Sequence, residues 1–139
     1  MVLSREARLV SAITLLVIPT IMYGGWTLLG ILTQGTVSAS PDVHLDETQW
    51  ALWRAGHAHA GVWTILSLLL QIFLDPARLS AAAKWLARIC APLAAVFLAA
   101  GFFGVSGSSS FRWLIYLGVA SMLIALLLTA LGLVRRQAT

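Results

Sequence analysis

Arg54, His57 and His59 carry most of the chemistry this chain could perform, and they lie close together in Trp53-Arg54-Ala55-Gly56-His57-Ala58-His59-Ala60-Gly61-Val62-Trp63. The segment continues as Thr64-Ile65-Leu66-Ser67-Leu68-Leu69-Leu70, an apolar stretch in which an ionisable side chain is costly and marks a functional site by default. Imidazoles ligate transition metals and haem iron, and a guanidinium matches a carboxylate such as a haem propionate. Gly56, Ala58, Ala60 and Gly61 strip bulk from the helix surface, so that a flat macrocycle could lie against the backbone.

Spacing separates the two histidines. At about 100° per residue, His57, Gly61, Thr64 and Gln71 share one sector, flanked by Arg54 and Ser67. His59 is turned by about 200° from His57 and shares a face with Leu52, Trp63, Leu66 and Leu70. One ion cannot take both from a single helix, because ligands on one face need a spacing of three or four. The expectation is a haem b site with His57 as axial ligand, Arg54 at a propionate and Gly61 in the bare surface. The apolar setting of His59 calls for a second helix of the same chain or for another copy. In the preferred version a homo-oligomer, expected to be a trimer, holds haem between subunits on His57 and His59 of different chains; His44 or a methionine are other sources of a second ligand. Two alternatives stand beside it. Copper or zinc could be held by His57, His59 and His44 with Asp42, Asp46 and Glu47, or the chain could be a structural or assembly subunit of a respiratory complex.

The elements that must position these residues are membrane spans. Hydrophobic residues make up 60% of the 139 positions and charged ones 10%, against about 25% charged in soluble proteins. Four apolar runs, about 9–32, 50–74, 85–105 and 113–134, each reach the ~20 residues that cross a bilayer. The fold class is thus all-α, an integral membrane four-helix bundle forming a single domain over 1–139. The first run begins with Arg5 and Arg8 as a signal peptide would. It is far longer than the ~7–15 apolar residues of a signal core, and Pro41 follows the small-residue stretch Ser38-Ala39-Ser40, so it reads as a retained helix.

A net charge of +4 and a pI near 10.2 would suit nucleic acid, but the placement of the charges excludes that partner. Arg5, Arg8, Arg78, Lys84, Arg88, Arg135 and Arg136, seven of the nine basic residues, fall in the N-terminus, the second connection and the C-terminus, which four spans put on one side. The positive-inside rule then makes both termini cytoplasmic and turns the histidines towards the outer face of the inner membrane. Cys90 stands alone, which excludes an intrachain disulfide. Asp46 and Gln49 form a capping-box pair before Trp50, Asp75-Pro76 stops the second helix, and Ser110 is placed to cap the fourth. Tyr23-Gly24-Gly25-Trp26 allows close approach of a neighbouring helix. No base–nucleophile arrangement for a hydrolase is visible, so redox activity would follow only from a bound haem.

Arg54-x-x-His57 near the outer end of a second transmembrane helix resembles the low-spin-haem motif of the haem-copper oxidase and nitric oxide reductase catalytic subunits. Four helices with both termini inside resemble one of the three units of that superfamily's core. The resemblance implies His57 as the iron ligand and Arg54 as the propionate contact. It covers about twenty residues, and nothing here matches the superfamily's copper ligands or histidine–tyrosine pair. The Ala55–Val62 string is also similar to one in small four-helix membrane proteins of actinobacteria. Electron transfer, gas binding or haem handling is the expected service, with a quinol or respiratory partner.

Overall fold

In the computed structural model, which describes residues 3–37 and 43–135, the chain is four long helices and one 3-10 turn. Helix α1 spans Arg5–Leu32, α2 Glu47–Leu74, α3 Ala81–Val105 and α4 Arg112–Val134, with the turn at Ser109–Phe111. All four are long and apolar enough to cross a membrane, and no strand occurs among the described residues. Ser38-Ala39-Ser40, Asp42 and Arg136 lie outside the described residues.

The first three helices begin about one turn earlier than the apolar runs do, because polar caps start them. Ser4 Oγ accepts from the N–H of Ala7, Ser80 Oγ from Ala83, and Asp46 and Gln49 exchange both bonds of a capping box. Such caps satisfy amide donors that the helix itself leaves orphaned. Ser110 does not take the capping role expected of it. Ser108 instead accepts from Ser110 N–H, and α4 follows the 3-10 turn with no side-chain cap.

Neighbouring helices run antiparallel. Ser4 meets Asp75, Gln49 and Trp53 meet Ser106, and Arg78 N–H donates to the Gly132 carbonyl. One end of the bundle therefore gathers Arg5, Arg8, Arg78, Lys84 and Arg135, and is called the basic end below. The tight half is α3 against α4, where small residues let the backbones close: a Cβ on Gly118 would stand 2.8 Å from Leu98 N. Ala87, Ala91 and Ala94 are fully buried and join Leu70, Leu74, Met122 and Ala125 in the core. Helix α1 packs on α2, touches α3 lightly and does not reach α4.

At the basic end α1 is held by charge. Arg88, expected among the cytoplasmic surface charges, is instead in α3 and 3% exposed. Its helix begins at Ala81, just after the Ser80 cap, which puts Arg88 about 10 Å down the axis, too deep for water unless the side chain is met by protein groups. It forms an ion pair with Asp75 and donates to Ser4 Oγ and to the Oε1 and carbonyl of Gln71. Asp75 also accepts from Ser4 N–H at 2.8 Å and from Ser4 Oγ at 2.7 Å. Pro92 adds a reason for Gln71: proline has no N–H to offer the carbonyl four residues back, and Gln71 Nε2 donates to that Arg88 carbonyl at 3.4 Å. Partial burial pushes the Asp75 carboxyl up, but the two Ser4 bonds and the Arg88 guanidinium outweigh it and hold it below its ordinary 3.8.

Three substitutions test this packing. Gly118→Val would drive a methyl into the Leu98 backbone and lower the melting temperature in detergent, by the equivalent of about 2 kcal/mol. Gly61→Ala, where a Cβ meets nothing within 4 Å, would leave stability equal or higher. Because the folded Asp75 binds its proton less readily than the unfolded one, its stabilising share is whole above pH 3.8 and is lost as pH falls through the lowered folded value. Asp75→Ala should cost about 3 kcal/mol at neutral pH, the scale for stranding one member of a buried pair. Melting curves recorded down to acid pH should then show a smaller acid loss in the variant than in the wild type.

Candidate functional site

Helix α2 carries the site because its polar stripe faces inward. Thr64, Ser67 and Gln71 are buried, as lipid's lack of hydrogen-bonding groups demands. Ser67 Oγ is buried without a hydrogen-bond partner among the described residues. Ten residues after Glu47, about 15 Å down the helix, His57 stands half-buried against α1. Its ring edge rests on Gly25: a Cβ there would lie 2.9 Å from His57 Cε1 and 3.0 Å from Nε2. Of the two paired glycines of α1, Gly25 serves the close approach expected of them, with an imidazole as the object approached, while a Cβ on Gly24 would meet nothing within 4 Å.

Below this contact α1 and α3 part. They leave a lateral crevice of about 570 Å³ floored by His57, Ala60 and Thr64 of α2. Its α1 wall runs from Gly24 to Val10 and its α3 wall from Phe103 to Ile89; fourteen residues on each side make it about 21 Å long. The lining is almost wholly apolar, with Ile13, Val17 and Ile21 facing Pro92, Val96 and Ala99. A smaller cavity of about 180 Å³ lies on the other side of His57, bounded by Thr20, Tyr23, Thr27, Leu28, Trp53 and Phe103. Trp53 closes that end by donating its indole N–H to Ser106 Oγ at 2.8 Å and standing edge-on to Phe103. His57 is therefore the polar group between two apolar spaces, and no hydrogen bond engages its ring among the described residues.

His59 is placed differently. Its ring lies against Phe102 of α3, tilted by 34° with centroids 5.0 Å apart, and meets Trp63 edge-on at 6.2 Å. Its Nδ1 lies 2.7 Å from the Ala55 carbonyl; a carbonyl only accepts, so Nδ1 carries the proton. The apolar face expected around His59 is thus met by a second helix of the same chain, and its setting does not itself require another copy. Arg54 is exposed one turn from His57, and Gly61 faces open space. His44 is exposed in the connection before α2 and does not line the crevice. Among the described residues no three His, Cys, Asp or Glu side chains gather as a metal site. The buried cluster of Ser4, Gln71, Asp75 and Arg88 was missed as a constellation. Its signals were an arginine four residues before Pro92 and a glutamine on the α2 stripe, but their pairing is tertiary.

No family model matches the chain, and no curated protein or solved structure matches it either.

The His57–Gly25 contact can be tested directly. Gly25→Val should turn the imidazole off α1, moving the His57 ring resonances in NMR, or destabilise the protein by about 1–3 kcal/mol. Unchanged resonances together with unchanged stability would show that the two residues do not touch.

Proposed function

We propose that this protein holds haem b in the lateral crevice, with His57 as its one axial ligand in the chain. The observation that carries the reading is an imidazole without a hydrogen-bond partner among the described residues, set in the floor of an apolar slot of about 570 Å³, a volume within the ~300–1,000 Å³ usual for small-molecule sites. The residues fit such a group as follows. His57 would turn from Gly25 to meet iron, exposed Arg54 would take a propionate, and the apolar walls would exclude water. No second histidine or methionine lines the crevice, so any further ligand to the iron would be a gas or a residue of another copy. When bound, haem would supply one-electron or gas-binding chemistry, consistent with electron transfer, gas binding or haem handling. A multi-pass protein of the inner membrane, with this site towards the outer face and a homo-oligomeric state, is part of the same proposal.

The length of the crevice favours a second occupant. It continues far past His57 as a narrow apolar channel down to Val10 and Ile89, a shape that suits the isoprenoid tail of a quinol whose ring oxygen would hydrogen-bond to His57. A bare copper or zinc ion has less support, because the histidines face different helices. A purely structural role in a respiratory complex leaves the unpaired imidazole without a purpose.

Absorption spectra and solvent extracts of protein purified from haem-sufficient cells distinguish these. A Soret band that His57→Ala removes and His59→Ala keeps is expected. A colourless protein with a co-purifying quinone, lost in His57→Ala, would replace haem with quinol. Absence of both would refute the site.

A further inference from the structure

A second cleft, separate from the lateral crevice, opens at the basic end between the first turns of α1 and α3 and encloses about 350 Å³. Ser4, Glu6, Asp75, Lys84, Trp85 and Arg88 line it. Two of its four charges cancel, since Asp75 and Arg88 are paired and hydrogen-bonded from several sides. One cation and one anion remain. Lys84 is half-buried and gives a single hydrogen bond, 2.8 Å to the Asp75 carbonyl, with no carboxylate partner among the described residues. Glu6 is half-buried with no hydrogen bond or ion pair, so the two do not meet each other across the cleft.

A cleft with two separated charges of opposite sign, neither in an ion pair among the described residues, is complementary to a ligand that carries the reverse pair a few bonds apart. We propose that it binds the headgroup of phosphatidylethanolamine, with the phosphate on Lys84 and the primary ammonium on Glu6. The level is right for a headgroup. Glu6 is in the first turn of α1, Lys84 and Trp85 are at the start of α3, and Trp85 is 39% exposed at the end of an apolar span, the level at which amphipathic indoles gather in membrane proteins. A primary ammonium has three N–H donors to offer a carboxylate, as a lysine does. A choline group has none, and a phosphatidylglycerol headgroup has no cation at all. Arg5, Arg8, Arg78 and Arg135 attract anionic lipids to this end in general, but Glu6 inside the cleft opposes a headgroup bearing only negative charge. This site stands independently of what fills the crevice.

The test is native mass spectrometry of delipidated protein exposed to micelles containing phosphatidylethanolamine, phosphatidylglycerol and phosphatidylcholine in equal amounts. One retained phosphatidylethanolamine is expected. Glu6→Gln, which breaks no internal bond, should lower that preference by about five-fold, the upper range for a single partly exposed ion pair, with the melting temperature unchanged in lipid-free detergent. Lys84→Arg should keep the preference. Preferential retention of phosphatidylglycerol, equal retention of all three, or a preference that Glu6→Gln leaves intact would each overturn the assignment.

Discussion

A guanidinium removed from water must be met by protein groups on every side, and the way Arg88 is met organises one end of this bundle. Its partners come from the cap of α1, from the last turn of α2 and from the residue that ends α2. A single side chain on α3 thereby ties the start of α1 to the end of α2. The same cluster absorbs the one carbonyl that Pro92 strips of its donor. Replacing such a pair with apolar groups can be neutral in stability, so its contribution here is best understood as position: it sets the register of three helices at once.

The two halves of the bundle differ because their facing residues differ. Between α3 and α4, glycine and alanine let backbones approach until a single Cβ at Gly118 would collide with the neighbouring helix. Between α1 and α3, the facing residues are Val10, Ile13, Val17 and Ile21 against Ile89, Leu93 and Val96, and branched side chains cannot interdigitate so closely. Helix α1 is instead fastened at two places, by Ser4 to Asp75 at the basic end and by the seat of His57 on Gly25 towards the other. The crevice is the stretch between those fastenings.

Much of this was legible in the sequence because it is local. Apolar length gives the four spans, Asp46 with Gln49 gives a start, Asp75-Pro76 gives a stop, and the helical period puts Thr64, Ser67 and Gln71 on the buried stripe. Hydropathy alone misplaced the starts of α1 and α3, since Ser4 and Ser80 are polar and lie outside any apolar window. Arg88 was misread for a related reason: counted with the nearby connection, its charge looked aqueous, and only the cap at Ser80 shows how deep it sits. The seat of His57 was half visible, as an imidazole on one helix and paired glycines on another. Sequence carries no term for the contact between them.

The crevice lies along the flanks of α1 and α3, helices long and apolar enough to cross a membrane, rather than at either end of the bundle. A molecule reaching it would travel by two-dimensional diffusion within the leaflet and would never shed a hydration shell at a pore mouth. In a bilayer the occupancy of such a crevice would be governed by mole fraction in the lipid, and the bilayer would act as both reservoir and solvent for any guest. Solubility in water, which limits most binding sites, would then place no limit on this one.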